Sequence, residues 1–169
     1  GYRLGWVVAG RFARDLQRRK ITSTLATSIP IQNGIALALR QEAFDAHLER
    51  LRRTLATQQR AMIACVRKHF PTHRITIPSG GYFLWIELDR AVDALEIQRR
   101  ALAANISVAP GPMFSARREF RNFLRLNYGH PWNSAVERAI AELGAIIRAA
   151  SREEKRHIEH KDTKVQSKL

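Results

Sequence analysis

The stretch FLRLNYG, residues 123–129, places a charge between leucines. Read as a strand, it puts Leu124, Leu126 and Tyr128 on one face and Arg125 and Asn127 on the other. A guanidinium in such a strand costs free energy if it is buried without a partner. It calls for an anion: a protein carboxylate, or a ligand carboxylate or phosphate held in a two-pronged fork. Two further segments offer accessible backbone as walls for a small ligand, the PSGG turn at 78–81 and the SVAPGPMF loop at 107–114. A second arginine of interest, Arg3, lies inside GYRLGWVVAG, where Tyr2, Leu4, Trp6, Val7 and Val8 read as a buried strand.

Other chemistry is sparse. The single cysteine, Cys65, excludes an intramolecular disulfide and suits a cytoplasmic chain. With Met62 and Val66 as neighbours it reads as a small core residue rather than a reactive thiol. His157 and His160 stand one helical turn apart, but no third ligand accompanies them, so no metal is expected. The formal net charge of +14 raises the question of nucleic acid. The arginines are scattered, however. No recognition-helix signature, zinc spacing or alternation of aromatic and basic residues accompanies them. They read as solvated faces. No apolar run is long enough to span a bilayer, and no segment has the order of a secretion signal, so no membrane partner is expected.

The elements that must position these residues follow from periodicity. With 45% apolar residues, the 169-residue chain has enough material for a core. After the opening strand, RFARDLQRRK reads as a short amphipathic helix. The next helix begins at Ser28 as N-cap, with Pro30 in its first turn and Ile31, Ile35, Ala38 and Leu39 on its apolar face. Gly34 within it suggests close packing against the backbone. Phe44, Leu48, Leu51, Leu55, Met62 and Val66 then mark one stripe of a long helix, stopped by Pro71. Its length of roughly 40 Å exceeds the need of a small domain.

Beyond residue 70 the period changes. RITIPSGGYFLWIEL alternates, with Tyr82, Leu84, Ile86 and Leu88 facing one way and Phe83, Trp85 and Glu87 the other. A helix follows, with a capping box from Asp93 to Glu96 and Asn105 as its left-handed stop. Two more strands and a last helix complete the pattern, the helix opening with a Ser134-to-Glu137 box and carrying Val136, Ile140, Leu143 and Ile147. Together these give a small α+β layer, a sheet with helices on one side. Residues before about 43 cannot close a core by themselves. The segment 151–169, charged and nearly without apolar residues, is expected to be a disordered tail.

GYRLGW, PSGGYFLWIEL, SVAPGPMF and FLRLNYGHP, in this order and at these intervals, resemble the C-terminal part of class I/II aminotransferases of pyridoxal-phosphate fold type I. The flavour is that of the aminotransferase-like effector domain in MocR-type GntR-family transcription regulators. The resemblance covers Gly1 to about Ile147. It implies an α/β fold, incomplete here: residues 1–43 as the remnant of the large cofactor-binding domain, 44–70 as the interdomain helix, and 71–150 as the small domain.

It also implies roles. Arg3 matches the arginine that binds the phosphate of pyridoxal 5'-phosphate, and Arg125 the one that takes the substrate α-carboxylate. Gly80 and Gly81, with Tyr82 after them, match the turn entering the small domain near the substrate. Pro110 and Gly111 match a loop closing over the site. The family's Schiff-base lysine lies a few residues before its GxRxGW segment, a position outside these 169 residues. The expectation is therefore a piece of an aminotransferase-like protein that does not transfer amino groups on its own. Its parent would either exchange an amino group between an amino acid and a 2-oxo acid, or sense the cofactor or an amino acid within a regulator. The resemblance further implies a homodimeric parent, and DNA contacts only through a separate N-terminal domain.

Overall fold

The structure, a computed structural model, describes the backbone of residues 2–41 and 43–166, and side chains up to residue 156 within these ranges. The chain divides into two compact units, Gly1–Leu51 and Arg52–Leu169.

In the first unit, residues 2–9 form no strand, contrary to the reading of GYRLGWVVAG. Strand backbone needs a neighbouring strand for its N–H and C=O groups, and the described residues of this unit contain none. The positive φ of Arg3, 56°, also breaks the extended run. Tyr2, Trp6, Val7 and Val8 are consequently exposed. Helix α1 spans Ala13–Thr24 and α2 spans Ile29–Leu39. Ser28 holds the N-cap position of α2 with Pro30 in the first turn, yet its hydroxyl caps nothing. Instead the Gln32 side-chain amide donates to the Thr27 carbonyl at 2.9 Å. Ile31, Ile35 and Ala38 form the half-buried stripe, whereas Leu39 is exposed. The space beside Gly34 is open, so the close packing expected there is absent from this chain.

Helix α3, Ala43–His69, follows the predicted stripe. Phe44, Leu48 and Leu55 are half-buried, Met62 and Val66 are buried, and Leu51 is exposed. The division between the units falls within this helix.

The second unit is built on a four-stranded antiparallel sheet in the order β1-β2-β4-β3. The strands are β1 Arg74–Thr76, β2 Phe83–Glu87, β3 Ala109–Pro110 and β4 Phe123–Asn127. Between β2 and β4, Leu84 faces Leu126 and Ile86 faces Leu124. These four side chains are buried in one core with Met62, Val66 and Phe70, with Ile97 of α4 (Ala94–Ala103), and with Ile140, Leu143 and Ile147 of α5 (Ser134–Gln166). Each large aliphatic or aromatic side chain so buried contributes about 1.5–3 kcal/mol. The alternation read from the sequence therefore sets which sheet face receives the helices. Tyr82, just ahead of β2, escapes it and is exposed.

The caps differ in detail from the sequence reading. Asp93 caps α4 by accepting from the Leu95 N–H at 2.9 Å, but Glu96 turns outward to Arg99 and Arg100 instead of closing the box. Asn105 ends the helix with φ 59°. At α5 the capping group is Asn133, one residue earlier than predicted, whose Oδ1 accepts from Ala135 and Val136. Glu137 meets the Trp132 indole N–H at 3.3 Å. Helix α5 also continues past Ala150 to Gln166, where an unordered tail was expected. The physical reason lies near its middle. Ala150 packs on the core, and Glu153 forms a 2.7 Å ion pair with Arg100 of α4. The side chains of His157 and His160 lie outside the described residues.

Two predictions follow from this packing. A Cβ on Gly111 would collide with the Phe120 carbonyl oxygen and lie 2.8 Å from Phe120 Cβ. Gly111→Ala should thus cost about 2–3 kcal/mol in denaturant unfolding, as overpacking does, while Gly80→Ala, facing open space, should stay within about 0.5 kcal/mol. The second concerns acid. Hydrogen bonds from Arg99 and then Arg100 lower the Glu96 carboxyl to about 2 from 4.5. A depressed carboxyl stabilises the fold above its unfolded value, and that stability is lost as pH falls through the folded value. Melting temperature should therefore decline between pH 4.5 and 2, and Glu96→Gln should flatten part of that decline. These three groups lie at the surface, so solvent screening keeps their share of the stability small.

Candidate functional site

Arg125 sits at the centre of β4, with Trp85 of β2 and Ala109 of β3 as its register partners. Alternation sends its side chain to the sheet face away from the helices. The guanidinium carbon lies 4.1 Å from the Phe83 ring centroid and 4.1 Å from that of Phe114. Phe83 comes from β2, on one side of β4. Phe114 ends the 3-10 turn Gly111–Phe114 that follows β3, on the other side. The charge thus lies against two rings, one from β2 and one from the turn that follows β3. Behind them Trp85 stacks on Phe123 at 5.5 Å and meets the edges of Phe114 and Phe120 at 5.7 and 5.6 Å.

The sequence demanded an anion for Arg125. Among the described residues, no carboxylate lies within ion-pair distance of it. Ring contacts of this kind contribute about 0.5–2 kcal/mol each. The rings accept no conventional hydrogen bond, so the guanidinium N–H donors remain available to an anion. Arg125 contributes to the lining of an open groove of about 700 Å³, with Phe83, Met113 and Asn127 and with Met62 and Ile140 from the helices. Arg125 is therefore a half-buried cation with no carboxylate beside it among the described residues.

The glycine turn is held from α3. The Gln59 side-chain amide donates to the Pro78 carbonyl and to the Tyr128 hydroxyl, each at 3.0 Å. Gly81 adopts φ 84°, the left-handed region that favours glycine. The Tyr128 N–H donates to the Tyr82 carbonyl at 2.9 Å, tying the turn to the end of β4. Gly80 and Gly81 line a separate hollow of about 320 Å³ with Arg52, Gln59, Ser79 and Tyr128. Tyr82 reaches Arg125 only indirectly, through its ring contact with Phe83 at 4.4 Å. Pro110 and Gly111 are buried. Pro110 pairs with Leu124 at the sheet edge, and the exposed part of that loop is Met113 and Phe114. Arg3 belongs to the first unit, where it is exposed and has no ion-pair partner among the described residues.

The aromatic ring pair was missed in the sequence reading. Phe83 was legible, since alternation places it on the Arg125 face. Phe114 was not, because a turn rather than a strand aims it. Elsewhere, Cys65 is half-buried. Burial first, and then the Glu137 carboxylate, push its thiol above its ordinary value. A thiol so raised stays protonated and is a poor nucleophile. No group of three His, Cys, Asp or Glu among the described residues is placed to hold a metal. No helix there is long and apolar enough to cross a membrane.

Known proteins match this chain in sequence and fold. Residues 1–143 match the aminotransferase class I and II family. The chain is 40% identical over 148 residues to the uncharacterized HTH-type transcriptional regulator YdcR of Escherichia coli K12, covering 87% of this chain and 32% of that protein. It is 33% identical over 152 residues to a second such regulator of the same organism, YjiR, covering 88% of this chain and 32% of that protein. Among solved structures, the α-aminoadipate aminotransferase LysN of Thermus thermophilus, complexed with N-(5'-phosphopyridoxyl)-L-leucine, superposes with a TM-score of 0.73 at 30% identity. That match covers 83% of this chain and 36% of LysN. The chain therefore spans about a third of the length of each of these proteins. Its fold is a part of the fold type I architecture, and the chain belongs to the aminotransferase class I and II family.

Proposed function

We propose that this chain is part of the effector-sensing domain of a helix-turn-helix transcription regulator, a domain that recognises an amino acid through its carboxylate. The observation that carries the recognition is Arg125: a half-buried guanidinium against two rings, with no carboxylate beside it among the described residues. The similarity to YdcR and YjiR supports the regulator context over the enzyme context. The reading with amino-group transfer in the parent is the second one, favoured by the likeness to LysN.

Within this proposal each residue has a physical task. Arg125 binds the ligand carboxylate with its in-plane N–H groups in a two-pronged fork. Asn127, next on the same strand face, spends its side-chain oxygen on the Gly129 N–H at 2.6 Å and shapes the end of β4. Gln59 and Tyr128 hold Gly80, Gly81 and Tyr82 against that strand end. Arg3 is the one residue proposed toward pyridoxal 5'-phosphate. Its exposed guanidinium without an ion-pair partner fits a phosphate, and further phosphate and ring contacts would come from outside these residues. When bound, that cofactor supplies an electron sink for chemistry at the amino-bearing carbon. The proposed localisation is cytoplasmic, and the proposed parent is a homodimer that reaches DNA through a separate domain.

In the full-length parent, Arg125→Ala should weaken amino-acid binding by about 2–5 kcal/mol, as loss of one partner of a charge pair does. Calorimetric titration with the twenty amino acids measures this. Unchanged affinity would leave Arg125 a purely structural residue. Operator-DNA binding by the same protein should shift in response to the amino acid that binds, while incubation with a 2-oxo acid acceptor yields no amino-group transfer. Multiple turnover with a DNA affinity indifferent to amino acids would favour the enzyme reading instead.

A further inference from the structure

We infer that Phe83 and Phe114 are positioning residues that fix the plane of the Arg125 guanidinium, and so restrict this site to anions approaching edge-on as a planar carboxylate does. The inference deepens the proposed function and rests on it.

The argument begins with what an arginine side chain costs to hold. Ordering its several torsions gives up about 2 kcal/mol of rotamer entropy. Proteins usually hold such a group with a carboxylate, and here none is near among the described residues. The rings do the holding instead, both at 4.1 Å. They come from elements on opposite sides of β4. Contact with two rings from opposite sides of β4 restricts the swing of the side chain, and neither ring takes a conventional hydrogen bond from its N–H groups.

Neither ring is placed by chance. Phe83 sits in the β2–β4 ladder opposite Asn127. Phe114 is held by its edge contact with Trp85, which Phe123 backs by stacking. The turn that carries Phe114 starts at Gly111, where only a hydrogen fits beneath the Phe120 carbonyl. The chemistry of the gap follows. Ring faces are electron-rich, so an anion entering from above or below the guanidinium would meet repulsive π density. In the guanidinium plane, paired N–H groups match the spacing of two carboxylate oxygens. A lysine could not replace Arg125, because an ammonium has no plane to stack and no fork to offer.

The test uses the full-length parent protein, with L-leucine and its decarboxylated counterpart 3-methylbutylamine as probes. L-leucine affinity should fall about fivefold to tenfold in Phe114→Leu and in Phe83→Leu, as expected from losing one ring contact. The amine's affinity should stay unchanged, since it makes no use of the fork. Phe114→Tyr should restore leucine binding, because it keeps the ring. Phe114 is 41% exposed, so Phe114→Leu should leave the melting temperature nearly unaltered. Equal loss for both probes would mean a general structural role and overturn the inference. So would loss of leucine binding in Arg125→Ala with none in Phe114→Leu, and that outcome leaves the carboxylate reading standing. Equal leucine titrations for wild type and Arg125→Ala would overturn the carboxylate reading itself, and the ring clamp with it.

Discussion

The second unit holds a positive charge on its sheet that no carboxylate among the described residues neutralises. Arg125 could be hidden in a core only at a large cost. The fold takes a middle course. One face of β4 is given entirely to apolar packing, through Leu124, Leu126 and the following Tyr128. The other face is lined with aromatic rings, which tolerate a cation where aliphatic groups would not. The two faces therefore have different jobs. The helices α3, α4 and α5 are confined to one side, and the arginine is aimed out of the other.

Much of this was legible in the sequence because it depends on period. Alternation in YFLWIEL and FLRLN gave both sheet faces, and the four-and-three spacing of Met62, Val66, Ile140, Leu143 and Ile147 gave the helix stripes. These patterns are local, and burial in one chain segment is enough to read them. Arg125 stood out for the same reason, as a charge at a position the period assigns to a sheet.

What the sequence concealed depends on partners distant along the chain. The opening segment has strand composition, but strand formation needs a second strand to receive its hydrogen bonds, and composition is silent on that. Helix caps slipped by one residue or changed partner, because Asn133 and Ser134 are both competent and because Glu96 finds two arginines nearer than its own N-terminus. The extension of α5 was hidden in the same way. Its charge suggested disorder, but the charge on Glu153 has an answer 53 residues earlier, at Arg100. The Phe114 ring depends on a turn whose path follows from the missing side chain of Gly111.

The shortest strand has a consequence of its own. β3 is a sheet edge only two residues long, and one of them is Pro110, which has no N–H to donate. An incoming chain seeking to extend the sheet there would meet a border of two residues with a single N–H between them. Edge strands of this kind resist accretion of further strands, which is how natural sheets avoid growing into fibrils. The loop that carries the ring beside Arg125 thus also works as a stopper on the sheet. That border offers little backbone for self-association by strand addition.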